Sequence, residues 1–175
     1  MSHRRKILLI TGRPGAGKTT AIRAIAAALA ARPLAGFYTE EIRRAGERQG
    51  FRLVTFDGRS AVMAHVDFTG RPRVGRYGVD VALLDAMAES GLAPGGPVEC
   101  YLVDEIGKME CLSPRFVSAL RDVLDGPLPV VATVARSGRG FIAEVKQRSD
   151  AECWELTPSN RDGLPGRALD WLRSR

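Results

Sequence analysis

The sequence predicts an α/β three-layer sandwich on a mainly parallel sheet, with a small antiparallel β extension. Three observations predict it. Continuous apolar runs such as "KILLIT" (Lys6 to Thr11), "VECYLVDE" and "GPLPVVATVA" read as strands buried on both faces, the signature of a parallel sheet covered by helices. Segments with helical spacing alternate with them. Between residues 36 and 66 the pattern changes to short β-rich runs separated by "AGERQG" and "DGR", which read as hairpin turns.

In chain order, "KILLIT" is the first strand and a glycine-rich turn follows it. Ala21, Ile22, Ile25, Ala28 and Leu29 then recur at helical spacing, with Pro33 and Gly36 punctuating the end. "GFYTEEIRR", "GFRLVTF" and "SAVMAHV" form the antiparallel extension. Helical spacing returns with Val79, Ala82, Leu83, Ala86 and Met87, and Gly91 and "APGGP" break it before the second buried strand. Ser113 and Pro114 supply an N-cap and first turn for a helix whose apolar face is Phe116, Val117, Leu120, Val123 and Leu124. After "VVATVA" come a helix over residues 141–148, a short strand over 153–156 and a terminal helix ending in "ALDWLRSR".

A chain of 175 residues, 45% hydrophobic, supports one core, so residues 1–175 are expected to form a single domain. Lys and Arg outnumber Asp and Glu by 26 to 20, giving a net charge of +6 that suits an anionic partner. The basic residues are scattered rather than blocked, which argues against a dedicated nucleic-acid arm. Cys100, Cys111 and Cys153 are odd in number and far apart, and with only His3 and His65 no metal-ligand spacing forms. Reduced thiols and a cytoplasmic location are expected. "ILLIT" is too short for a signal-peptide core, and the Ala-rich stretch from Ala24 to Ala31 is too short to cross a bilayer, so no membrane association is expected.

"GRPGAGKT", Gly12 to Thr19, matches the phosphate-loop pattern G-x-x-x-x-G-K-[ST], the Walker A motif, in its required setting between a buried strand and a helix. Glycines at 12, 15 and 17 let successive main-chain N–H groups converge near a helix N-terminus. Lys18 would reach the β- and γ-phosphates, and the Thr19 hydroxyl would ligate magnesium. In such a site a second apolar strand ending in Asp, the Walker B element, holds the magnesium side. Asp104 takes that place, and Glu105 stands next to it as the base that takes a proton from the attacking water. Thr133, at the end of "VVATV", is a candidate to touch that water or the γ-phosphate, or an ordinary strand threonine. Lys108, Arg136 and Arg139 are all candidates for a further cation on the transition state, and the sequence leaves the three open.

"TGRPGAGKTT", "GFYTEEIR" with "GFRLVTFDG", "VGRYGVDV", "LVDEIGKME" and "TPSNRDGLP" occur in that order along nearly the whole chain. In these stretches the chain resembles the small P-loop nucleoside-triphosphatase family that includes the human cancer-related nucleoside-triphosphatase. The resemblance implies a RecA-like domain that hydrolyses ATP, GTP and other nucleoside triphosphates to diphosphate and phosphate, with magnesium and little base selectivity. It implies nucleotide binding at Gly12, Arg13, Pro14, Gly15, Ala16, Gly17, Lys18 and Thr19, and at Tyr101, Leu102, Val103, Asp104, Glu105, Ile106, Gly107 and Lys108. Lys18 and Glu105 are then the catalytic pair, Thr19 and Asp104 the metal side, and Asn160 and Arg161 lie near the base. A monomer or weak oligomer is expected. Two other readings stay open: a nucleoside or nucleotide kinase, and a nucleotide-switched module that binds nucleic acid, for which the sequence offers no recognition motif beyond its charge.

Overall fold

The computed structural model describes residues 5–93 and 95–175; His3 and Arg4 of the N-terminal basic segment and Pro94 of "APGGP" lie outside them. Nine strands form one sheet: β1 (Ile7–Gly12), β2 (Leu34–Arg44), β3 (Glu47–Thr55), β4 (Ser60–His65), β5 (Arg73–Val74), β6 (Tyr77–Val79), β7 (Cys100–Ile106), β8 (Val130–Val134) and β9 (Ala151–Leu156). Their order across the sheet is β5-β6-β4-β3-β2-β7-β8-β1-β9. β2, β7, β8, β1 and β9 run parallel, and β3, β4, β6 and β5 continue from β2 as an antiparallel wing. The extension is therefore four of the nine strands and belongs to the same sheet.

Strand alternation explains the three layers. Ile7, Leu9, Val103, Val130, Ala132 and Val134 project into one core with Phe37, Leu53 and Met63. This core is covered by α2 (Val81–Gly91), α3 (Pro114–Asp125) and α4 (Phe141–Lys146). Leu8, Ile10, Leu102 and Val131 project to the other face, covered by α1 (Lys18–Ala28) and α5 (Leu164–Arg173). Ser113 caps α3 as its sequence announces, its Oγ accepting the Phe116 N–H at 2.9 Å. Phe116, Leu120, Val123 and Leu124 are buried, with Val117 only partly so.

Two helical faces differ from expectation. In α2 the buried side chains are Leu84, Met87 and Ala88, while Ala82 and Ala86 are exposed and Val79 lies in β6. The helix starts after Asp80, whose carboxylate accepts the Leu83 N–H at 3.0 Å, and its alanine-rich surroundings left the face ambiguous to periodicity. In α1, Ala28 is exposed and Gly36 lies inside β2 rather than at the helix end. A Cβ on Gly36 would sit 1.9 Å from the Leu102 carbonyl oxygen, so the close pairing of β2 with β7 depends on that glycine.

The β2–β3 hairpin turns through Ala45 (φ 49°) and Gly46 (φ 81°). Two successive positive φ angles match the twist of the strands, but alanine is a poor occupant of the first position. Ala45→Asn is expected to stabilise the fold by ~0.5–1 kcal/mol, read as a higher urea midpoint at unchanged slope.

Candidate active site

The phosphate loop leaves β1 at Gly12, which is packed against β9: a Cβ there would lie 2.8 Å from the Leu156 carbonyl oxygen. The loop turns through an Ala16 N–H to Arg13 carbonyl bond of 3.1 Å. Gly15 (φ 76°) and Gly17 (φ 104°) occupy the left-handed region that glycine accepts without strain. α1 then begins at Lys18 with no side-chain cap, so its first-turn N–H groups face the loop as anion donors. The Lys18 ammonium folds back over the loop and donates to the Gly12 carbonyl at 3.3 Å. Arg13, Pro14 and Gly15 form the exposed lip, and Ala16, Gly17 and Thr19 are half-buried.

Asp104, 1% exposed, is the centre of the site. Its Oδ2 accepts the hydroxyls of Thr19 at 2.6 Å and Thr39 at 3.2 Å, together with the Thr39 N–H at 3.4 Å. Its Oδ1 accepts the Thr133 hydroxyl at 2.7 Å. Two strands and one helix thus aim hydroxyls at one carboxylate. Thr133 is fully buried, and its hydroxyl orients Asp104 instead of reaching out to substrate. Thr39, on β2, was not singled out by sequence, because its role depends on a partner far along the chain.

The β7–β8 ladder loses register between Val103 and Ile106, so Asp104 and Glu105 stand where regular pairing is interrupted. The peptide bond between them is cis. Burial pushes the Glu105 carboxyl above its ordinary range and the nearby Asp104 adds to that, while Lys18 pulls it down. Ile106 and Gly107 are buried behind Glu105, and Lys108 is exposed.

The structure does not bring Tyr101, Leu102 and Val103 to the phosphate loop. Leu102 and Val103 are fully buried, one in each core. Tyr101 pairs with Val130, which pairs with Ile7, and it stands three residues, about 10 Å along the strand, before the Asp104 that meets Thr19. There Tyr101 lines an apolar groove of about 300 Å³ with Leu92, Ala119, Val123 and Leu128.

Glu110 is a site residue the sequence reading missed. It is 5% exposed and opens a short 3-10 turn, Glu110–Leu112. Burial, with Glu105 and Asp104 nearby, pushes its carboxyl up to about 8, against the pull of the main-chain N–H groups of Glu110 itself and Gly107. An apolar-to-acid switch in "GKME" was the available signal, and only burial makes it informative. Between the ordinary glutamate value and about 8, the folded state holds a proton that the unfolded chain has released, so this group makes stability fall as pH rises. Glu110→Gln is expected to remove that slope, up to ~1.4 kcal/mol per pH unit, and so to raise Tm at pH 8 relative to pH 5.

Arg136 and Arg139 are exposed beyond β8, and Lys146 donates to the Arg136 carbonyl at 2.7 Å. Glu40 lies 3.9 Å from Arg23, and Glu41 pairs with Arg43 at 2.6 Å and Arg48 at 2.7 Å, so neither acid joins the Asp104 cluster. Asn160 clasps its own loop: its Oδ1 accepts the Thr157 N–H and its Nδ2 donates to the Glu155 carbonyl, each at 2.9 Å. Arg161 is largely exposed, 3.7 Å from Asp162.

The profile of the family described as NTPase matches residues 7–169. The chain belongs to this NTPase family. Curated relatives agree: the nucleoside-triphosphatase THEP1 of Thermotoga sp. (strain RQ2) is 38% identical over 167 residues, covering 95% of each chain. That of Methanosarcina barkeri is 34% identical over 170 residues, covering 95% of this chain and 97% of the relative. Among solved structures, the crystal structure of THEP1 from the hyperthermophile Aquifex aeolicus superposes with a TM-score of 0.86 at 34% identity, covering 95% of this NTPase and 98% of that chain. The solution structure of a human cancer-related nucleoside triphosphatase gives 0.83 at 32%, covering 97% and 98%. The P-loop sandwich expected from sequence is thus the family's fold, and the NTPase is a nucleoside-triphosphate hydrolase by class. Among the described residues no helix is long and apolar enough to cross a membrane.

Proposed function

We propose that this NTPase hydrolyses nucleoside triphosphates to diphosphate and phosphate, with magnesium and little discrimination between bases. One observation carries the reading: a half-buried carboxylate, Glu105, follows the Asp104 that is hydrogen-bonded to the phosphate-loop Thr19 at 2.6 Å, and Lys18 is its neighbouring cation.

The loop N–H groups and Lys18 hold the β- and γ-phosphates. Asp104 and Thr19 present hard oxygen donors, and no cluster of three His, Cys, Asp or Glu ligands occurs among the described residues. That donor set fits magnesium, which prefers one carboxylate, water and substrate phosphates to a full protein cage. When bound, the ion would neutralise charge on the phosphate oxygens. Glu105 orients a water in line with the γ-phosphorus and takes its proton. As the water oxygen bonds to phosphorus, the bridging bond breaks and its oxygen leaves with the diphosphate, where Lys18 stabilises the growing charge.

The test is phosphate release from ATP, GTP, CTP and UTP with magnesium and with EDTA, in the presence and absence of nucleosides and monophosphates. Release from all four without an acceptor, abolished by EDTA, is the expected result. A phosphorylated acceptor as the main product would replace this reading with that of a kinase.

A further inference from the structure

Glu110 is a buried acid for which the hydrolytic scheme has no role, and its placement gives it one. Its turn is tied down by the Cys111 N–H to Gly107 carbonyl bond and the Ser113 N–H to Glu110 carbonyl bond, each 3.1 Å. A Cβ built on Gly107 would lie 3.0 Å from Glu110 Oε2 and 3.6 Å from both Cγ and Cδ of Glu105. The two carboxyl groups therefore flank the same point, and Gly107 leaves the space between them open. Lys18 is near enough to draw the Glu105 carboxyl down. Glu105 thus has a neighbouring cation and, across Gly107, a buried carboxyl.

We propose that Glu110 is a positioning residue that backs Glu105 across Gly107 and holds it toward the phosphate loop. It does not serve as a second base, because it is sealed from the water that the reaction consumes. Burial beside two other acids keeps it mostly protonated near neutral pH, so it fills the space behind Glu105 without repelling it strongly. Its length and polar end, rather than a charge, do the positioning. A base displaced by about an ångström loses much of its rate advantage, whereas nucleotide affinity rests on the loop and is untouched.

This inference rests on Glu105 being the base, and the test separates the two. Turnover, KM and Tm are measured for Glu110→Ala, Glu110→Asp, Glu110→Gln and Glu105→Gln, and for Glu110→Ala combined with Glu105→Gln. Glu110→Ala and Glu110→Asp are expected to lower kcat about 10- to 100-fold with KM within about threefold, and Glu110→Gln to recover most of it. Adding Glu110→Ala to Glu105→Gln is expected to bring no further loss. Wild-type turnover in Glu110→Ala, equal losses in Glu110→Gln and Glu110→Ala, or additive losses in the double variant would each overturn the proposal. Should Glu110→Ala fail to fold, the contrast between Gln and Asp decides in the same way. Full activity in Glu105→Gln instead removes the base assignment itself.

Discussion

Glu105→Gln is expected to lower phosphate release by about 10²–10⁴-fold while nucleotide binding stays within a few-fold of wild type. Glutamine keeps the volume and can still hold a water, but it cannot take the proton. Burial disfavours the charged Glu105 carboxylate, so its replacement by neutral glutamine should not lower the thermal midpoint at neutral pH. The pH profile adds an independent check. Burial raises the Glu105 carboxyl above its ordinary range, so kcat/KM of the wild type should fall as pH drops through that raised value, and the variant should lack this acid limb. Equal turnover in wild type and variant, or an acid limb that persists in the variant, would remove Glu105 from the role.

Lys18→Ala should weaken nucleotide binding by about 10- to 150-fold, the equivalent of one charge-assisted hydrogen bond of ~1.5–3 kcal/mol, and should lower kcat as well. Both effects follow from one atom: the ammonium lies over the loop, where the β- and γ-oxygens would come, and the charge it meets grows during the reaction. Among the described residues its one side-chain hydrogen bond is the 3.3 Å contact to Gly12, so stability should change by no more than ~0.5 kcal/mol. Titration calorimetry with a non-hydrolysable triphosphate reads the first effect and thermal unfolding the second. Unaltered affinity would show that the lysine does not face the phosphates.

The phosphate loop was legible in the sequence because its chemistry is local: eight consecutive residues carry the glycines, the lysine and the threonine that the geometry needs. Asp104 was legible from its place at the end of an apolar strand. Thr39 and Glu110 were not. Thr39 matters because β2 pairs with β7, and no spacing in the sequence announces that contact. Glu110 reads as an ordinary acid until burial removes its water. Within Tyr101 to Lys108 the side chains divide: a strand that delivers Asp104 to one end of the sheet buries Leu102 and Val103 on the way. Periodicity also misplaced the α2 face, where apolar residues occur on several sides and only the Asp80 cap fixes the start.

The packing of Gly12 against Leu156 also orders events during synthesis. The loop ends at Thr19, yet the strand beside it, β9, ends 137 residues later at Leu156, and its other neighbour, β8, at Val134. The β2–β3–β4 hairpins have their partners close in sequence and can form as soon as they emerge, whereas the parallel strands wait for distant chain. A ribosome-bound chain therefore carries its complete phosphate motif long before it has a wall to shape it. Competence to capture nucleotide arrives only once β9 has emerged and paired, and nucleotide then stabilises only chains that have closed the sheet.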